Sequence, residues 1–181
     1  DSVVQFPFGY GLSYTSFQQE ISDLSQEDGN ITLKVKVTNT GSVAGKDVVE
    51  VYYTPPYTNG GIEKASVNLV EFAKTGLLEP GKSETVEISF TLEDMAAYDD
   101  QDRGCYVLEA GDYAISIRSD SHTVLDTRSV AVESDVVYND ENAGARSSDA
   151  VTAVNRFDFA RGDVTYLSRA DGFSNYAKAT A

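Results

Sequence analysis

Hydrophobic and polar residues alternate along much of this chain with a period of two. In Ile31-Thr32-Leu33-Lys34-Val35-Lys36-Val37-Thr38 the apolar set Ile31, Leu33, Val35 and Val37 faces one way, and the polar set faces the other. This is the pattern of an antiparallel strand with one face buried. Val48 to Tyr53 reads as the next strand and stops at Pro55-Pro56. Thr85 to Leu92 puts Val86, Ile88, Phe90 and Leu92 on one face, and Tyr113 to Arg118 alternates again. Phe17 to Leu24, Cys105 to Leu108 and Thr127 to Glu133 add further strands, and Ala65 to Phe72 reads as a strand at a sheet edge. Turn chemistry separates them, at Asn39-Thr40-Gly41, Pro80-Gly81 and Gly111-Asp112. The one helical candidate is Glu93 to Tyr98, of one or two turns. About seven short strands with frequent turn signals predict an all-β fold. The expected form is a two-sheet antiparallel sandwich of the immunoglobulin or fibronectin-III type. No internal repeat is visible.

The flanks follow other rules. Phe6-Pro7-Phe8-Gly9-Tyr10-Gly11-Leu12-Ser13-Tyr14 combines four aromatic rings with two glycines and a proline. A strand interior does not hold Pro and Gly so densely, and a solvated linker has no use for rings that each bury on the order of 150–250 Å². Residues 1–14 therefore read as an extended strap, with Phe6, Phe8, Tyr10 and Tyr14 as docking side chains for a surface partly outside this chain. Residues 15–133 read as the sandwich. Residues 134–181 read as a polar, acidic linker from Ser134 to Asp149 and then an extended arm. Its aromatics include Phe157, Phe159, Tyr166, Phe173 and Tyr176. Phe157 and Phe159 join the strap's rings as expected interdomain docking side chains, and in this chain alone they are expected to be partly buried against the sandwich. The least regular stretch inside the sandwich, Thr54 to Leu78, is the expected functional loop.

Charge narrows the choice of partners. The 181 residues include 14 basic and 29 acidic side chains, for a net charge of −15. Nucleic acid and anionic membrane surfaces need clustered Lys and Arg, so neither is an expected partner. The single cysteine, Cys105, excludes an intrachain disulfide and fits a reducing compartment without excluding secretion. The chain begins at Asp1 rather than Met, which reads as a piece of a longer polypeptide.

Candidate chemistry is sparse. Glycoside hydrolysis needs two carboxylates roughly 5–10 Å apart, and Asp99, Asp100 and Asp102, or Asp135, Asp140 and Glu141, could supply them. In an acidic protein, loop carboxylates of this kind are ordinary surface charge. Asp99-Asp100-Gln101-Asp102 also offers hard oxygen ligands for calcium, without the spacing or glycine of an EF-hand loop. One His and one Cys cannot build a zinc site, and Gly9-Tyr10-Gly11 leads into no helix that could bind phosphate. No metal or other cofactor is expected. Ser119-Asp120-Ser121-His122 reads as a hairpin loop, and Cys105 as a small core residue. Tyr52, Tyr53 and Tyr57, near Pro55-Pro56, are the candidates for stacking on an oligosaccharide. The alternative for them is packing in or across the sandwich.

Four motifs carry a resemblance. They are the strap, the run Val37-Thr38-Asn39-Thr40-Gly41-Ser42-Val43-Ala44-Gly45 with Val48-Val49-Glu50-Val51-Tyr52, the pair Phe72-Ala73-Lys74-Thr75 and Leu78-Glu79-Pro80-Gly81-Lys82-Ser83, and Gly111-Asp112-Tyr113 with Ile115 and Ile117. In this order they resemble the fibronectin-type-III-like domain of family 3 glycoside hydrolases, which are β-glucosidase-like enzymes. The resemblance covers roughly Phe6 to Val132. It implies that the catalytic Asp nucleophile and the acid/base carboxylate belong to other domains, a (β/α) barrel and an α/β sandwich, so no catalytic residue carries over. It implies that the catalytic domains of the same polypeptide are the partners. The tail departs from the common pattern, in which this domain ends the protein. Asn155 to Phe159 and Gly162 to Arg169 look like the connector to a barrel in members with permuted domain order. Three readings follow: a non-catalytic scaffold module, a carbohydrate-binding module using the tyrosines, and a stand-alone adhesive domain.

Overall fold

The computed structural model describes residues 4–146, 159, 162 and 166–177. Strands β1 (Phe17–Glu27), β2 (Asn30–Asn39) and β5 (Ser83–Thr91) form one antiparallel sheet in the order β1-β2-β5. Strands β3 (Val48–Thr54), β4 (Asn68–Lys74), β8 (Gly111–Asp120) and β9 (Thr123–Val132) form a second, in the order β4-β3-β8-β9. Short strands β6 (Ala97–Asp99), β7 (Cys105–Leu108) and β10 (Val136–Tyr138) make a small third sheet, β10-β7-β6. The two larger sheets enclose the core of a β sandwich.

The alternation decides which side of each strand enters that core. Ile31, Leu33, Val35 and Val37 of β2 are fully buried, as are Val49 and Val51 of β3 and Ile115 and Ile117 of β8. Val86, Ile88 and Phe90 complete the layer from β5, with Val130 and Val132 from β9. Each such side chain contributes about 1.5–3 kcal/mol on removal from water. The hairpin between β1 and β2 turns on Asp28-Gly29, both at positive φ, which suits the right-handed twist of the strands it joins. The β8–β9 hairpin turns on Ser121-His122, as the loop reading expected. The Asp120 carboxylate accepts the His122 and Thr123 amides at 2.8 and 3.0 Å.

Two elements differ from expectation. The helical candidate Glu93 to Tyr98 is a single 3-10 turn over Leu92–Met95, and Ala96 is already extended. The Asp94 carboxylate takes the Thr91 amide and hydroxyl at 2.8 and 2.7 Å, which closes the turn after one cycle. Ala97 to Asp99 then pair with β7. The edge strand read at Ala65 to Phe72 runs instead from Asn68 to Lys74 and pairs only with β3. The acidic stretch after Val132 also contributes β10, which pairs with β7 at the surface.

One buried polar residue gathers the turns at one end of the sandwich. The side chain of Asn39 is fully buried and makes four hydrogen bonds. Its amide donates to the Val43 and Leu78 carbonyls, both at 2.8 Å, and its oxygen accepts the Thr15 hydroxyl at 2.9 Å and the Gly41 amide at 3.0 Å. Both donors and both lone pairs are thereby used. Gly41 is required here, since a Cβ would lie 2.2 Å from the Thr15 hydroxyl and 2.7 Å from the Ser16 backbone nitrogen. Asn39→Ala should therefore destabilise the chain by about 2–3 kcal/mol, measured by urea denaturation, because it strands buried carbonyls and amides.

The sheets are also tied at one edge. The Ile21 amide of β1 donates to Asp126 of β9 at 2.9 Å, and Arg128 donates to the Ile21 carbonyl at 2.9 Å. These two side chains, paired at 2.7 Å, stand in for a neighbouring strand. Burial would raise the Asp126 pKa, but the Ile21 and Thr127 amides and the Arg128 guanidinium outweigh it and hold the carboxyl below the ordinary range. A lowered native pKa contributes stability that is present above the unfolded value of about 3.9 and is lost as pH falls through the lowered native value. Urea midpoints measured downward from about pH 4 should fall less steeply for Asp126→Asn than for the wild type.

Candidate functional site

The strap crosses the outer face of the four-stranded sheet with its backbone fixed and its rings exposed. The Phe8 carbonyl accepts the Ser121 amide at 2.8 Å, which attaches the strap to the β8–β9 hairpin, and the Tyr10 amide closes a turn onto the Pro7 carbonyl at 3.0 Å. Gly9 makes the crossing possible. Its φ is +86°, and a Cβ there would lie 2.2 Å from the Glu50 carboxylate. Phe6 and Phe8 are about two-thirds exposed, Tyr10 is 47% exposed and Tyr14 fully so. The Phe6 and Tyr10 rings pack against each other in a tilted arrangement, with centroids 5.3 Å apart. An open groove beneath the strap is lined by Leu12, Thr15, Phe17, Lys46, Asp47 and Leu125. Val48 and Phe72 lie exposed on the same sheet.

Under the strap lies a polar cluster that sequence reasoning missed. On β3 and β8 the outward residues Glu50 and Arg118 are cross-strand partners, as are Tyr52 and Ser116. The Tyr52 hydroxyl donates to Glu50 at 2.7 Å. Arg118 lies over the Tyr52 ring at 5.7 Å. It donates to Ser116 at 2.9 Å and to the Ser121 carbonyl at 3.0 Å. Burial, reinforced by Glu50, pushes the Tyr52 hydroxyl well above its ordinary pKa, so it remains a donor. The only sequence signal was the outward position of Glu50 in an otherwise apolar strand.

Two of the three sugar-stacking candidates are buried rather than exposed. Tyr52 is 1% exposed under Arg118, and Tyr53 is 9% exposed on the inner face, 6.4 Å from the Tyr113 ring. Neither offers a ring face to a ligand. Tyr57 is half-buried and covered by the Arg169 guanidinium at 4.4 Å. Phe159, expected to be partly buried against the sandwich, is instead 87% exposed. Phe157 lies outside the described residues.

The carboxylate clusters are committed locally. Asp99 is buried and accepts the Gln101 and Asp102 amides at 3.2 and 3.0 Å. Asp135 takes the Ala110 amide at 2.8 Å and pairs with Arg103 at 3.5 Å. Asp100, Asp102, Asp140 and Glu141 are exposed. Among the described residues no group of three or more His, Cys, Asp or Glu side chains could hold a metal. Cys105 is half-buried at the start of β7. No helix among the described residues is long and apolar enough to cross a membrane.

The C-terminal segment meets the sandwich at the loop after β3. Glu63 accepts the Ser168 hydroxyl at 2.7 Å and the Arg169 amide at 2.8 Å, and Arg169 donates to the Ala65 carbonyl at 3.3 Å. Nearby, Lys64 is buried in an ion pair with Glu109 and donates to the Pro56 carbonyl at 2.6 Å, which holds the loop against the start of β8.

Comparison with known proteins fits this architecture. Residues 47–121 match the family model of the fibronectin type III-like domain. The β-glucosidase of Kluyveromyces marxianus is 39% identical over 136 residues, which is 75% of this chain and 16% of that protein. Its crystal structure in complex with glucose superposes with a TM-score of 0.69 at 36% identity, covering 75% of this chain and 16% of that one. β-Glucosidase 3B of Thermotoga neapolitana superposes with a TM-score of 0.65 at 35% identity, covering 74% and 18%. Residues 47–121 thus match a fibronectin type III-like domain, the chain is similar to one part of these β-glucosidases, and it spans about one-sixth of their length.

Gly9→Ala tests the strap's seat. The left-handed φ penalises any Cβ, and the Glu50 carboxylate that would have to move is held by Tyr52. Strap docking should weaken by about 1 kcal/mol or more. The Ser121 amide should then exchange at least about fivefold faster, with the core amides of β2 and β8 unchanged.

Proposed function

We propose that this chain is a non-catalytic module of a family 3 glycoside hydrolase. It holds the catalytic domains of the same polypeptide at a fixed separation. The observation that carries this reading is the strap: its backbone is pinned to the Ser121 hairpin while Phe6, Phe8, Tyr10 and Tyr14 present their rings to solvent. A backbone held in this way presents the rings to an apolar surface with part of the strap's ordering cost already met in the isolated chain. A carboxylate pair supplied by two different domains works only when positioned to about 0.5 Å, which a rigid sandwich between them can provide. The relatives' names support the class of parent enzyme, a β-glucosidase. The burial of Tyr52 and Tyr53 weighs against the carbohydrate-binding alternative.

The purified chain should release no nitrophenol from aryl β-glucosides, and its tyrosine fluorescence should not saturate with added oligosaccharide. Turnover that depends on one of its own carboxylates would overturn the reading. Replacing Phe6, Phe8 and Tyr14 together by Ser should change the stability of the isolated chain by no more than about 0.5 kcal/mol at each site. The same change in a polypeptide carrying the catalytic domains should lower its activity.

A further inference from the structure

The C-terminal segment is held by chemistry that neither the scaffold reading nor the aromatic content of the arm requires. Glu63 uses both carboxylate oxygens on consecutive residues, Oε2 for the Ser168 hydroxyl and Oε1 for the Arg169 amide. Ser168 in turn accepts the Ala170 amide at 3.1 Å, and so caps the 3-10 helix Ala170–Ala177. The carboxylate therefore sits where the first unpaired amides of that helix favour negative charge. Arg169 adds a second pair of contacts, with its guanidinium plane over Tyr57 at 4.4 Å and an N–H on the Ala65 carbonyl. Tyr57 completes the ring of contacts by donating to Glu63 at 3.3 Å. Burial would raise the Glu63 pKa, but Ser168, the Arg169 amide and Tyr57 outweigh it and hold the carboxyl below its ordinary value.

We propose that Tyr57, Glu63 and the Ala65 carbonyl form a recognition seat for the Ser168-Arg169 step, which latches the C-terminal segment to the sandwich. The seat reads a Ser hydroxyl, a backbone amide and a guanidinium together. Its natural ligand is a Ser-Arg step entering a helical turn, supplied here by the chain itself. Lys64, buried between Glu63 and Ala65 and paired with Glu109, keeps the loop from moving with its ligand. The same loop continues through Ser66 and Val67, which line a shallow depression with Arg118, Ser121 and His122. The far end of the latch loop thus borders the β8–β9 hairpin that anchors the strap. The inference concerns the chain alone and holds whether or not the strap docks a second domain.

Trypsin offers a direct test on the full chain, because cleavage after Arg169 requires its guanidinium to leave Tyr57 and enter the protease. Native-state cleavage at this bond, followed by mass spectrometry, should be about tenfold faster in Glu63→Gln and in Tyr57→Ala than in the wild type, which corresponds to about 1.4 kcal/mol of lost latching. Core amide exchange in β2 and β8 should be the same in all three, which separates release of the latch from unfolding. Equal cleavage rates in the wild type and both variants would overturn the proposal. A wild-type Arg169 amide that exchanges at the unprotected rate would also overturn it, independently of any variant.

Discussion

The structure depends on a single apolar layer between two sheets. Ile31, Leu33, Val35 and Val37 from β2 face Val49, Val51, Ile115 and Ile117 from β3 and β8, and all eight are fully buried. A slip of one residue in any of these strands would turn its apolar set out to water and its Lys, Glu or Arg set into the core. Register is therefore set by hydrophobic burial, and each turn must fit the register it is given. The Asp28-Gly29 hairpin and the Asn39-centred turns meet that requirement with positive φ and with saturated hydrogen bonding.

A sandwich has edges, and here polar side chains close one of them. Asp126 and Arg128 satisfy the outward N–H and C=O of Ile21 as a paired strand would, but with charged groups that discourage another chain from adding there. The opposite problem arises on the outer face of the larger sheet. Tyr52 and Ser116 are buried there without being part of the apolar core. Glu50 and Arg118 supply their partners, so the surface that receives the strap is internally satisfied before the strap arrives.

Both flanking segments follow one plan. The backbone is fixed by a few hydrogen bonds to the sandwich, while large side chains remain in solvent. The strap is held at Phe8 and exposes Phe6, Tyr10 and Tyr14, and the C-terminal segment is held at Ser168 and Arg169 and exposes Tyr166, Phe173 and Tyr176. Aromatic content alone pointed to docking in both places. It could not say which atoms hold each segment, because neither Gly9 nor Glu63 is distinguished by hydrophobicity.

The amino-acid sequence by itself determined the inner faces of β2, β3, β5 and β8, since a strand's period of two assigns each side chain to a face without reference to distant residues. It also determined the major breaks at Asn39-Thr40-Gly41, Pro55-Pro56 and Pro80-Gly81, where backbone chemistry is local. It signalled a short helical turn near Glu93 but not its end, where Asp94 closes a single turn and pairing with β7 takes the following residues into a strand. Tertiary structure alone decided that Tyr52 is buried on an outward-facing position, that Asn39 joins Thr15 to Leu78, and that the arm is held at Arg169 while Phe159 stays in solvent. In each case the deciding partner lies tens of residues away. Hydrogen bonds and guanidinium stacking between such distant groups leave no periodic trace in the chain.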